Sequence, residues 1–235
     1  MKLAELDLPP AHPPLALSPP DTESESQFWP GEQGSYLLGV LWGAIGCAGD
    51  GTYWLRHQDR WYVDFVRDSL LISQQARLVR MDSRPQWRLR ITKSGDVARL
   101  NRLFATYGWS PRRSEVRWYP NGHLHDRAFI RAWVELHGSA DVAVSHGRKT
   151  PRLRIYGNVA LVETINHTLS RNTGLPLRRV QRTGNETTKA LYYLGKTMFR
   201  VLDGLYQHAT VSNPQARTRL QTPILGYNVG GYPLS

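Results

Sequence analysis

Apolar positions along this chain fall into runs of two kinds, and the order of the runs repeats. The most apolar stretch is Tyr36-Leu-Leu-Gly-Val-Leu-Trp-Gly-Ala-Ile-Gly46, which predicts a buried helix. Gly39 and Gly43 stand four residues apart, so they share one helix face and leave a groove where another backbone can come close. The partner expected in that groove is Phe129-Ile-Arg-Ala-Trp-Val-Glu-Leu-His-Gly-Ser139, with Ala132 where the first run has Gly39. Trp42 reads as core.

Between and after these runs the period changes from helical to alternating. Ala48 to Gly51 is a hairpin signal and Thr52–Arg56 a strand. Asp59 caps a helix whose Tyr62, Val63, Phe65, Val66, Leu70 and Leu71 face a core. Ala76–Arg80, a turn at Ser83-Arg-Pro85 and Trp87–Ile91 form a second hairpin, with Arg77, Arg88 and Arg90 on one face and Leu78, Leu89 and Ile91 on the other. A helix from about Gly95 to Ala105 closes the unit. The second unit follows the same order. Ala140–Ser145 and Arg152–Ile155 pair across His146-Gly147, Asn158 caps a helix, Leu177–Gln181 and Ala190–Leu194 flank Thr183-Gly-Asn185, and Met198–Tyr206 is the last helix. Such duplication implies a pseudo-twofold axis.

The expected organisation is therefore an α+β fold of two αββαββα repeats, at 35–113 and 126–212, with a linker at 114–125. A leader at 1–34, with three Pro-Pro pairs and Glu23-Ser-Glu-Ser26, has too little to bury to order itself. Residues 213–235 read as an irregular tail.

Charge adds direction to this outline. Thirty Lys and Arg against nineteen Asp and Glu give a net charge of +11, which favours a polyanionic partner. Glu5, Asp7, Asp21, Glu23, Glu25 and Glu32 lie in the leader, so the folded part is more basic still. The single cysteine, Cys47, excludes an internal disulfide framework and a Cys-rich zinc module. The His123-Leu-His-Asp126 fragment lacks a third clear ligand and reads as part of the linker. No apolar run is long enough to span a bilayer and the first residues lack a signal-peptide core, so a cytoplasmic protein with no membrane partner is expected.

Tyr36-Leu-Leu-Gly39, Asp59 to Asp68, Trp87-Arg-Leu-Arg-Ile-Thr-Lys93, Phe129-Ile-Arg131 with Gly138-Ser139, and Tyr206-Gln-His-Ala-Thr-Val211, in this order and repetition, resemble a monomeric two-repeat LAGLIDADG homing endonuclease over roughly Ser35 to Leu220. The resemblance implies paired central helices and two antiparallel sheets forming a saddle over double-stranded DNA. Arg56, Arg77, Arg88, Arg90, Arg152, Arg154, Arg178, Arg179 and Arg182 are the contacts it nominates. Active members carry an acidic residue at the penultimate position of each motif helix, where the two carboxylates hold divalent metal at the scissile phosphates.

This chain has Ala44 and His137 at those positions. Alanine binds no metal, and histidine is a poor match for magnesium, which prefers oxygen. Asp50 and Glu135 are the alternative acids, and Lys93 and Lys196 the lysines that would stand beside the phosphates. The preferred reading is a monomeric DNA-binding protein deficient in cleavage and needing no cofactor. Two readings stand beside it: a magnesium-dependent endonuclease or nickase, and an intron maturase that binds structured RNA, for which Trp54, Trp87, Tyr192 and Tyr193 would serve.

Overall fold

The two apolar runs pack side by side and point the same way. The computed structural model describes residues 31–81, 84–110, 117–185 and 187–227. Helix α1 (Glu32–Ala44) and helix α4 (Asp126–His137) form the centre. Ser35 at the start of α1 accepts a hydrogen bond from the His125 N–H, 2.9 Å away. Further along, a Cβ added at Gly39 would stand 2.7 Å from both the Ala132 Cβ and the Phe129 carbonyl. At Gly43 it would stand 2.8 Å from the His137 Nε2 and the Leu136 Cδ1. The groove expected from the two glycines is thus present and filled by α4.

Each central helix runs directly into a hairpin. β1 (Ile45–Cys47), β2 (Tyr53–His57), β3 (Arg77–Met81) and β4 (Arg84–Ile91) make a sheet in the order β1-β2-β4-β3. β5 (Gly138–Ser145), β6 (Arg148–Gly157), β7 (Gln181–Arg182) and β8 (Lys189–Leu194) repeat it as β5-β6-β8-β7, and all pairings are antiparallel. Helices α2 (Arg60–Ser69) and α3 (Ser94–Tyr107) belong to the first repeat, and α5 (Val159–Thr173) and α6 (Lys196–Tyr206) to the second. Both expected caps are made: Asp59 accepts from the Trp61 N–H and Asn158 from the Leu161 N–H. Alternation assigns the sheet faces. Leu55, Leu89 and Ile91 in one sheet and Leu153, Ile155 and Leu191 in the other are fully buried, so the intervening residues on the central strands belong to the opposite faces.

Four expectations need correction. Glu32 is not part of a leader: it opens α1, pairs with Arg131 and accepts two bonds from Thr210; residues 1–30 lie outside the described part, as does Ser83 of the expected turn. Leu71 does not face the core, because α2 ends before it and Leu71 takes φ 50° with its side chain 78% exposed. The strand expected at Leu177–Gln181 shrinks to Gln181–Arg182, since the Arg178 backbone is held by the Asn166 amide instead of a neighbouring strand. The tail is not irregular where it is described. Asn213 caps helix α7 (Pro214–Gln221), followed by a 3₁₀ turn at Thr222–Ile224. A proline at the first helical position was the missed signal, being well suited to a helix start. No described helix is long and apolar enough to cross a membrane.

Because the helix crossing leaves no room for a methyl group, Gly39→Ala is expected to lower stability by about 1–3 kcal/mol through overpacking. Gly49→Ala, where an added Cβ meets nothing within 4 Å, is expected to stay within about 0.5 kcal/mol of the parent. Urea unfolding of the two variants checks both.

Candidate nucleic-acid interface

The open face of the first sheet carries a row of like charges. Arg56 on β2 pairs in register with Arg88 on β4, which pairs in turn with Arg77 on β3. Three arginine side chains thus leave the same sheet face from in-register positions on strands spaced about 4.8 Å apart. Directly opposed like charges destabilise a sheet. Beside this row, the Arg56 guanidinium lies 3.8 Å from the centre of the Trp54 ring. Trp54 in turn lies over Gly46, where any Cβ would collide with the indole. Arg90, opposite Trp54, pairs with Asp50 at 3.1 Å.

The second sheet has a different chemistry on its open face. Asp141 on β5 stands opposite Arg152 on β6. Its two oxygens accept from Arg152 Nε at 2.9 Å and Nη2 at 2.8 Å, and one of them also accepts from Arg154 Nη2 at 2.8 Å. The Arg152 side-chain hydrogen bond, ahead of the opposing effect of burial, holds the Asp141 carboxyl below its ordinary range. Tyr192 and Tyr156 lie beside the two arginines, with ring centres 6.0 and 5.9 Å from the guanidinium carbons. Asp141 and Tyr156 were missed in the sequence, although strand alternation puts both on the face of Arg152 and Arg154.

The other three arginines nominated from sequence lie elsewhere. Arg178 and Arg179 precede β7; the Arg178 guanidinium carbon sits 5.9 Å from the ring centre of buried Tyr193, whereas Arg179 is exposed. Arg182 pairs with Lys189, whose register partner Gly157 shares the core-side parity of Leu153 and Ile155, so Arg182 belongs to the sheet edge. Lys93 is the N-cap of α3 and Lys196 the first residue of α6; both are exposed.

At the ends of the central helices there is little to hold a metal. Ala44 is the last residue of α1 and offers a methyl group. His137, the last residue of α4, lies over Gly43 with its Nε2 3.1 Å from that residue's carbonyl oxygen. A carbonyl accepts only, so Nε2 carries the proton. The ring also packs on Trp133, centres 4.2 Å apart. Burial, which outweighs the Gly43 bond, pushes the His137 pKa down to about 4, so the imidazole is neutral at pH 7. Arg117 donates to the Trp42 carbonyl in the last turn of α1, and burial pushes its pKa down to about 10.

Asp50 and Glu135 are both engaged by neighbouring groups. Asp50 lies beyond β1 on the exposed turn, where Oδ1 accepts from the Thr52 N–H and hydroxyl at 3.0 and 2.6 Å. Glu135 is 1% exposed and faces the interior. It accepts from the Tyr36 hydroxyl, from Tyr206 at 3.0 Å, from Tyr62 at 3.5 Å and from the Asn213 N–H at 3.0 Å. Burial raises its pKa despite these bonds, and burial with the carboxylate's charge pushes all three tyrosines up. Among the described residues no group of three His, Cys, Asp or Glu side chains could hold a metal ion. Magnesium requires oxygen donors, so the helix ends do not fit it.

No family model and no curated protein matches the chain by sequence. Comparison with solved structures does find relatives in shape. The LAGLIDADG homing endonuclease I-LtrWI, bound to target DNA, aligns with a TM-score of 0.55 at 7% identity over 80% of this chain and 87% of its own. I-GzeII in complex with its DNA target gives 0.54 at 7% over 78% and 86%. I-SmaMI bound to cleaved DNA gives 0.54 at 8% over 80% and 86%. The chain has the LAGLIDADG homing-endonuclease fold.

Since the folded His137 holds its pKa below the ordinary 6.5, its contribution to stability is complete above pH 6.5 and is lost as pH falls towards about 4. The full loss is at most about 3 kcal/mol, at 1.36 kcal/mol per pKa unit. His137→Phe is expected to remove this part of the pH dependence, read as the difference between parent and variant urea midpoints at pH 7 and pH 4.

Proposed function

We propose that this chain binds double-stranded DNA through the open faces of its two sheets, as a single chain, and does not cleave it. The observation that carries the reading is the in-register row Arg56–Arg88–Arg77. Three arginines in register concentrate positive charge on one face, which suits a polyphosphate partner. The fold similarity supports the same ligand, because I-LtrWI and I-GzeII are described bound to DNA targets. Arg90, Arg152 and Arg154 extend the basic surface on the same sheet faces. Arg178, Arg179 and Arg182 are peripheral, available to flanking phosphates at most.

Binding and cleavage reside in different residues, so one can be kept without the other. Cleavage by two carboxylates and a metal needs oxygen donors at the ends of α1 and α4, where this chain has Ala44 and a neutral His137 seated on Gly43. Asp50 and Glu135 are committed to a turn and to the tyrosine cluster. No cofactor is needed for a surface that works by charge and hydrogen bonding.

The test is a selection of bound duplexes from a random DNA pool, followed by incubation of the recovered sequences with Mg²⁺ or Mn²⁺. Enrichment of a site, unaffected by chelator and with no cleavage, is the expected result. Cleavage abolished by Asp50→Ala or Glu135→Ala would overturn the claim of inactivity. Tighter binding of structured RNA than of any duplex at matched salt would replace DNA by RNA as ligand.

Within the row, Arg77→Ala combined with Arg88→Ala is expected to reduce the slope of log affinity against log salt by about 2, at about 0.9 for each phosphate no longer neutralised. The same double variant is expected to unfold no more easily than the parent, within about 0.5 kcal/mol, because a like-charge repulsion is removed with the side chains.

A further inference from the structure

The two sheets present their arginines differently. In the first, three arginines stand in register on neighbouring strands. In the second, one carboxylate stands between two. Asp141 grips the Nε and Nη2 edge of Arg152 and one nitrogen of Arg154, and the side chains of the three remain 36%, 27% and 27% exposed. Its negative charge offsets part of the attraction of this pair for a phosphate. In exchange it fixes the direction of two long side chains that would otherwise sample many rotamers.

Charge and direction serve different readers. Attraction to phosphate needs charge and tolerates motion, whereas recognition of a base edge needs donors held in a set orientation. With Nε and Nη2 engaged by Asp141, Arg152 still has its terminal Nη1–Nη2 edge, two N–H groups side by side. Guanine is the base that offers two acceptors side by side in the major groove, O6 and N7. Arg152 and Arg154 are two residues apart on one strand and so about 6.6 Å apart along it, close to two steps of a DNA strand at about 3.4 Å each.

We infer that the second repeat reads guanines, two of them within about two base-pair steps, through Arg152 and Arg154, with Asp141 as the positioning residue that aims both forks. The first repeat anchors the duplex mainly through phosphates. This rests on the duplex-binding reading above.

The experiment is the same random-pool selection, run with the full chain and with two variants, Asp141→Asn and the pair Arg152→Lys with Arg154→Lys. The parent is expected to enrich a site with a guanine pair in one half and weaker base preference in the other. Both variants are expected to lose at least about 10-fold in discrimination at those guanines. Lysine keeps the charge and loses the fork, so its loss should be larger in discrimination at those guanines than in affinity for unselected duplex. Asp141→Asn should bind unselected duplex at least as tightly as the parent. If Asp141→Asn does not fold, the lysine pair decides by itself. Base preferences identical to the parent's in the folded variants would overturn the inference, and so would a loss spread over both halves of the site. A parent that binds duplexes without any base preference would overturn it while leaving duplex binding intact. A parent that binds no duplex would instead remove the duplex-binding reading.

Discussion

Everything in this structure depends on how closely α1 and α4 approach each other. Gly39 meets Phe129 and Ala132 with no space for a side chain, and Gly43 meets Leu136 and His137 in the same way. At that separation the two repeats share one core, and residues distant in sequence become neighbours. Glu135 of α4 then lies within reach of Tyr36 on α1, Tyr62 on α2 and Tyr206 on α6. The C-terminal segment is drawn in too, since the Asn213 N–H donates to Glu135, the Asn213 amide to Asp59, and Arg219 to the Glu135 carbonyl. A buried carboxylate is costly unless its oxygens meet donors, and here those donors come from both repeats and from the element after them. Loosening the helix crossing would therefore strand Glu135 as well as open the core.

The same crossing places the two helix ends together, with Ala44 closing α1 and His137 closing α4. A pair of carboxylates at that point would repel unless a cation lay between them. Ala44 and His137 bring no carboxylate to that point, so no such repulsion has to be offset. His137 takes up the space left by Gly43 and donates to its carbonyl, so the helix ends are satisfied internally. Arginines gather on the open sheet faces instead, in register on neighbouring strands. Burial arguments explain Leu55, Leu89 and Ile91; they do not explain why Arg56, Arg88 and Arg77 stand in one row.

Much of this was legible in the sequence. The glycine spacing in the first apolar run, the alternation of Arg with Leu and Ile in the strands, and the caps at Asp59 and Asn158 are local signals, and local physics decided them. The duplicated order supplied the symmetry that the sheet orders β1-β2-β4-β3 and β5-β6-β8-β7 display.

Which partner each polar residue found was beyond the reach of sequence. Glu135 looked like a residue at a helix end and is the centre of a tyrosine cluster, because three of its partners lie 71 to 99 residues away in the chain. Asp141 passed unnoticed among Ala and Val until register set it between Arg152 and Arg154. Arg178 resembled its strand neighbours but is held at the core by the Asn166 amide and Tyr193. The residues from Asn213 onward looked irregular because α7 is a short, polar helix that depends on α4 and the Asn213 cap for its position. By itself the sequence determined the elements and their order, since each depends on neighbours within a few residues. Partners, faces and ion pairs were decided only by tertiary structure, since hydrogen bonds and charges act over a few ångströms in space irrespective of distance along the chain.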